Sequence, residues 1–181
     1  TFRRYALAST TWTDRTNYGS GGGDTVKEGG SLASNGVDKV YGLRGDNTQK
    51  FYVYHVVTDT WTALSDTGDN VKNGGALVYL KVGSITETLY ALMGERTTGF
   101  RPYTVSTNAW DARAAVPNIV NKGGALTTNG TYIYALGGDA GAGNKRKFYR
   151  YDPVANSWND AAVADTPADM GDGAALSYPN G

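Results

Sequence analysis

The sequence predicts an all-β protein built from repeated four-stranded antiparallel units, and three observations carry that prediction. Aromatic landmarks recur at a fixed interval: Trp12, Trp61, Trp110 and Trp158 are separated by 49, 49 and 48 residues. Phe2, Phe51, Phe100 and Phe148 keep the same intervals, as do Tyr5, Tyr54, Tyr103 and Tyr151. A small-residue run followed by an apolar pair marks each unit again: GGSLAS from Gly29, GGALVY from Gly74, GGALTT from Gly123 and GAALSY from Gly173. No stretch shows the i, i+3, i+4, i+7 apolar spacing of an amphipathic helix. A period of roughly 40–50 residues belongs to propellers and solenoids, in which each unit buries its faces only against its neighbours.

Within one period the elements follow in order. The first strand leaves the small-residue run, where Gly and Ala let neighbouring backbones approach closely. An Asn-Gly step then predicts a two-residue hairpin turn at Asn35-Gly36, Asn129-Gly130 and Asn180-Gly181. The second strand, as in TYIYALGG, ends on glycine. The third is aromatic, as in KFYVYH and KFYRY, and turn residues such as Thr58-Asp59 or Asp152-Pro153 lead to the Trp-bearing fourth strand. The Trp and third-strand aromatics are expected to form the core between units, each burying about 150–250 Å².

With these landmarks the chain resembles the kelch-repeat β-propeller family over essentially all its 181 residues. YIYALGGD, with Gly137-Gly138, is similar to the kelch second strand, and YRYDPVANSW to its third-to-fourth strand hairpin. Arg44-Gly45 and Met93-Gly94 stand where that family has a Gly pair. The expected organisation is one propeller segment over 1–181, with about three complete blades and two partial ones. A partial blade covers 1–28, repeats cover 29–73, 74–122 and 123–172, and the first strand of a further repeat covers 173–181.

Aligning Gly181 with Gly130 and Thr1 with Lys147 leaves 131–146 without a counterpart, so one second strand is missing. An incomplete ring is therefore expected, with an open edge on the strand that carries Phe2 and Tyr5. Kelch-like rings usually have six or seven blades, so the resemblance implies a segment of a longer propeller, or completion by another copy or adjoining chain. Thr1, with neither an initiator Met nor an apolar leader, points to processing or a fragment. The resemblance also implies that second-to-third strand loops gather on one face. In this sequence those loops are 44–50, 93–99 and 137–147, and they carry the candidate partner-binding residues Arg44, Asp46, Glu95, Arg96, Asp139, Lys145 and Arg146.

Composition narrows the chemistry. With 17 basic and 17 acidic residues the formal charge is zero, which leaves no electrostatic footprint for nucleic acid. Lys145-Arg146-Lys147 reads as a solvated loop tip, and no apolar run approaches the ~20 residues of a membrane span. Cysteine is absent, and His55, immediately after the third strand of the second unit, is the one histidine. One imidazole builds no multi-histidine metal site, and the copper oxidases among kelch-type propellers need a Cys that this chain lacks. No catalytic residue, metal or cofactor is expected. SDTGDN at 65–70, GDAGAGN at 138–144 and ADTPADMGD at 164–172 hold the residues that turns demand, without full calcium-ligand spacing. Arg44-Gly45-Asp46 is read as a chance tripeptide.

The surface is written in Thr, Asn, Ser, Gly and Asp, which places the protein outside the cell or on its surface, and Asn129-Gly130-Thr131 is a candidate glycosylation site. The expected function is a non-catalytic interaction or structural module that binds a protein partner or builds an assembly. A carbohydrate-binding, lectin-like propeller is the alternative, and a propeller enzyme the third reading.

Overall fold

A computed structural model describes residues 1–19, 24–82 and 86–178, with the Asn180-Gly181 turn outside them. Among these residues the structure is all β and contains no helix. β1 (Phe2–Ala6) and β2 (Thr11–Arg15) form a two-stranded sheet, called blade 1. Blade 2 holds β3 (Ser31–Ser34), β4 (Lys39–Leu43), β5 (Phe51–His55) and β6 (Thr60–Ala63). Blade 3 holds β7 (Ala76–Val82), β8 (Thr86–Leu92), β9 (Phe100–Thr104) and β10 (Ala109–Trp110). Blade 4 holds β11 (Ala125–Thr128), β12 (Ile133–Leu136), β13 (Phe148–Asp152) and β14 (Ser157–Asn159).

Each blade is an antiparallel meander in sequence order, and β7 packs between β3 and β11, so the first strands of blades 2 to 4 lie side by side. The sheets do not close into a ring. Among the described residues β1 forms a strand ladder with β2 alone, which leaves its other edge without a strand partner as the alignment predicts. A cleft of about 770 Å³ opens between β1 and β3, lined by Phe2, Tyr18, Asp24 and Leu32 among others.

Register explains the aromatic spacing. Tyr5, Tyr54, Tyr103 and Tyr151 face Trp12, Trp61, Trp110 and Trp158 directly across the third and fourth strands. Into each pair of blades 2, 3 and 4 the preceding blade inserts a phenylalanine. Phe2 meets Tyr54 and Trp61 at ring centroid distances of 4.9 and 5.2 Å, Phe51 meets Tyr103 and Trp110 at 4.9 Å each, and Phe100 meets Tyr151 and Trp158 at 4.8 and 4.9 Å. All six contacts are edge-to-face, the geometry that satisfies the ring quadrupoles. The core therefore lies between blades. Leu89 and Ala91 of β8 belong to the cluster shared with blade 2, and the alternating Tyr90 and Leu92 to the one shared with blade 4.

A polar latch accompanies each junction. Asp59, Asn108 and Asn156 sit two residues before the Trp with φ of 56°, 50° and 50°, a left-handed conformation that Asp and Asn tolerate. Their Oδ1 atoms accept from the hydroxyls of Tyr54, Tyr103 and Tyr151 at 2.6, 2.8 and 2.8 Å. They also accept from the backbone N–H of Thr16, Ser65 and Ala114 at 3.0, 3.0 and 3.1 Å. The Nε1 atoms of Trp61, Trp110 and Trp158 donate to the carbonyls of those same three residues at 2.9, 2.9 and 2.8 Å. One peptide residue of the preceding blade is thus gripped by both its polar groups. Burial raises Tyr103 and Tyr151 to about 12, and burial followed by the bond to Asp59 does the same for Tyr54. The Asp59 carboxyl is lowered, first by that hydroxyl and then by the Thr16 amide. Asn108→Ala should cost about 1–3 kcal/mol, because the Tyr103 hydroxyl loses its acceptor inside the core. Asn108→Asp, which copies the first junction, should cost far less in urea denaturation.

Three sequence expectations are corrected. The Asn-Gly hairpins are not two-residue turns, since β3 ends at Ser34 and β4 begins at Lys39. Asn35 Oδ1 accepts from the N–H groups of Val37, Asp38 and Lys39 at 3.0–3.1 Å, and this side-chain cap widens the loop. Positive φ falls on Gly36 (74°) and Gly130 (87°). Trp12 is 68% exposed against 8% for Trp61, because no sheet of the described residues packs on that face of blade 1. Residues 173–178 form no strand, and 179–181 lie outside the described residues.

Candidate partner-binding face

The loops at 44–50, 93–99 and 137–147 meet the loops that lead from one blade into the next. Thr48 pairs with Val71 and Thr97 with Val120 as isolated bridges, and Asn121 N–H donates to the Gly137 carbonyl at 3.0 Å. Gly45, Gly94 and Gly138 hold the same place, with φ of 70°, 74° and 66°. A Cβ there would lie 2.2–2.3 Å from the carbonyls of Glu28, Asn73 and Lys122. This second glycine is therefore the required one, and Arg44 and Met93 are tolerated in front of it.

In blades 2 and 3 the left-handed turn continues through Asp46 (φ 55°) and Asn47 (57°), and through Glu95 (44°) and Arg96 (61°). Each such residue costs roughly 1–2 kcal/mol, and the surrounding backbone offsets it. Asp46 N–H donates to Glu28 O at 3.0 Å and Asn47 N–H to Val71 O at 3.0 Å. Glu95 N–H donates to Asn73 O at 2.7 Å and Arg96 N–H to Val120 O at 2.8 Å. The turns stitch adjacent blades, and their side chains project from a backbone held on both sides.

Six of the seven candidate residues fall into two groups. Asp46 and Glu95 line one small cleft of about 90 Å³ with Glu28 and Lys72. Arg44 completes this group through its ion pairs, lying 3.6 Å from Asp46 and 3.9 Å from Asp24, while Lys27 reaches Asp46 at 3.1 Å and Lys72 pairs with Glu95. Arg44 also donates to the Thr25 carbonyl at 3.3 Å, so it braces the loop. In blade 4 Lys145 pairs with Asp139 at 2.9 Å, and Arg146 with Asp169 at 2.9 Å. Arg96 differs from all of them: it is exposed and has no ion pair among the described residues.

The acidic loops answer to cations as well. Asp66 pairs with Lys50 at 3.1 Å, Asp69 with Arg101, Asp165 with Lys147 at 2.8 Å and Asp172 with Lys122 at 3.5 Å. Among the described residues no group of three or more His, Cys, Asp or Glu could hold a metal ion. The Arg44-Gly45-Asp46 tripeptide is folded on itself by its own ion pair. Asn129 spends its Oδ1 on the N–H groups of Thr131 and Tyr132 and one amide hydrogen on the Tyr134 hydroxyl. Sequence reasoning missed the latch, although Asp59, Asn108 and Asn156 repeat with the period of the Trp residues.

Residues 122–162, which contain β11 to β14, match the family profile described as the Kelch motif. The chain has a kelch-repeat β-propeller fold. The solved structure of YjhT matches it with a TM-score of 0.58 at 17% identity, over 80% of this chain and 54% of that one. This kelch segment therefore spans about half the length of YjhT. No curated protein matches the chain. In kelch terms blades 1, 2 and 3 each contribute a Phe to the next blade, and blades 2, 3 and 4 each present a Tyr, a Trp and an Asx latch to the previous one.

Proposed function

We propose that this kelch segment is a non-catalytic interaction module whose loop face docks an acidic segment of a protein partner, carried on an exported or cell-surface protein. A kelch propeller fold suits protein interaction. The single observation that carries the rest is Arg96, an exposed cation without a counter-charge on a backbone pinned by hydrogen bonds, among neighbours whose charges are paired. A backbone already pinned on both sides removes the cost of ordering the loop when the guanidinium meets a carboxylate. Export rests on the composition rich in Thr, Asn, Ser, Gly and Asp and on the sequon at Asn129, whose second amide hydrogen is free to be replaced by a glycan.

A photo-crosslinking residue placed at position 96 should capture a defined protein in the native host, and the same residue at Val57, in the β5–β6 turn, should not. Arg96→Ala should weaken that partner's affinity with the melting temperature nearly unchanged. Equal capture at both positions, or unaltered affinity, removes this face from consideration. A second reading, carbohydrate binding, draws on the exposed Trp12, and saccharide binding on a glycan array that is lost in Trp12→Ala would favour it.

A further inference from the structure

Three Asn-Gly steps lie among the described residues: Asn35-Gly36, Asn73-Gly74 and Asn129-Gly130. Such a step is chemically labile, because glycine has no side chain to shield its nitrogen as that atom attacks the preceding carboxamide. The fold guards two of the three. Asn35 Oδ1 accepts from the N–H groups of Val37, Asp38 and Lys39, and its Nδ2 donates to Asp38 Oδ1 at 3.0 Å. Asn129 is tied in the same way to Thr131, Tyr132 and the Tyr134 hydroxyl. The attacking nitrogens are engaged as well: Gly36 N–H donates to Ser34 Oγ and Gly130 N–H to Thr128 Oγ1, each at 3.0 Å. Asn73-Gly74 has none of this. Among the described residues neither the Asn73 carboxamide nor the Gly74 N–H makes a hydrogen bond. The Asn73 side chain is half-buried and lines the cleft of about 90 Å³ that it shares with Glu28, Asp46, Lys72 and Glu95.

We propose that Asn73 is the site at which the folded chain deamidates, and that the product loosens the junction where the entries to blades 3 and 4 meet. The inference goes beyond the loop-face reading and does not depend on Arg96. The Gly74 nitrogen gives up its proton and bonds to Asn73 Cγ, the Cγ–Nδ2 bond breaks, and the amide leaves as ammonia. Water then opens the cyclic imide at either carbonyl, with no oxidant or reductant involved. One opening leaves aspartate at position 73, and the other leaves isoaspartate, whose main chain is longer by one carbon. That extra carbon has nowhere to go. The Asn73 carbonyl accepts from Glu95 N–H at 2.7 Å, and the Lys72 carbonyl accepts from Gly75 N–H at 2.8 Å. A Cβ on Gly29 would lie 2.0 Å from the Lys72 carbonyl, and one on Gly74 1.9 Å from the Asn121 carbonyl, so this backbone is gripped from both neighbouring loops. The same grip holds the reaction below its rate in an unfolded chain. The aspartate product keeps the backbone length and adds a carboxylate beside Glu28, Asp46 and Glu95.

Peptide mapping by mass spectrometry of the 181-residue chain, stored folded at mildly alkaline pH, tests the proposal. Conversion of amide to acid is expected several-fold faster at position 73 than at 35 or 129, and in urea the three rates should rise and converge. The isoaspartyl carboxyl at 73 should accept a methyl group from an isoaspartyl methyltransferase, and the aged chain should melt below the fresh one. Two variants separate the longer backbone from the added charge. Asn73→Lys copies Lys122, which precedes Gly123, and should keep its melting temperature on ageing. Asn73→Glu copies Glu28, which precedes Gly29, and should melt close to the fresh chain, since it carries the charge on a main chain of ordinary length. Equal rates at the three steps in the folded chain, earlier conversion at 35 or 129, or no conversion at 73 until urea is added would overturn the assignment of the site. A loss of melting temperature on ageing that is undiminished in Asn73→Lys, or reproduced in full by fresh Asn73→Glu, would overturn the loosening by a lengthened backbone.

Discussion

Phe51→Ala is expected to lower the free energy of unfolding by about 3–5 kcal/mol, the range for emptying a large aromatic from a core. Phe51 is 1% exposed, sits edge-on between Tyr103 and Trp110 of the next blade, and stacks on Tyr41 at 6.2 Å within its own. Removing the ring empties the junction of blades 2 and 3 from the middle, and the flanking strands are held by ladders that limit collapse into the void. Phe148→Ala removes the same side chain from a partly buried position against Tyr134 of its own blade and should cost this 181-residue chain about 1 kcal/mol or less. Urea denaturation of the two variants separates the cases. Equal losses would show that the Phe residues act within their own sheets and not as plugs between them.

Gly74→Ala should cost about 3 kcal/mol or more. Gly74 has φ of 82°, and a Cβ on it would lie 1.9 Å from the Asn121 carbonyl, a backbone atom of the loop entering blade 4. Left-handed backbone alone accounts for about 1–2 kcal/mol, and the rest comes from forcing two blades apart. Gly36→Ala is the control: its φ is 74°, and nothing lies within 4 Å of the added atom. It should show the conformational cost alone. Melting temperatures that fall equally for both would mean that the first strands are not closely packed at Gly74.

Much of the fold was legible because repetition exposes it. The common spacing of Tyr54, Trp61 and their equivalents forces one register, since a slip by one residue would turn every aromatic to the wrong face. The open edge of β1 followed from the same alignment. Asn35 was misread because its side chain can either permit a tight turn or cap a wider one, and the choice rests on which amides lie within reach of Oδ1. The seven loop residues could be located on their loops but not paired, since Arg146 and Asp169 meet across 23 residues of chain.

By itself the sequence determined the strand order, the blade period and which side chains face one another within a blade, because these are contacts made inside one repeat. Tertiary structure alone decided which copies of an identical residue are core. Trp12 and Trp61 share a motif, a register and a Tyr partner, yet one is 68% and the other 8% exposed. Burial here is conferred by the neighbouring blade, through its phenylalanine and one gripped peptide, and a neighbour is not a property of the repeat that it covers.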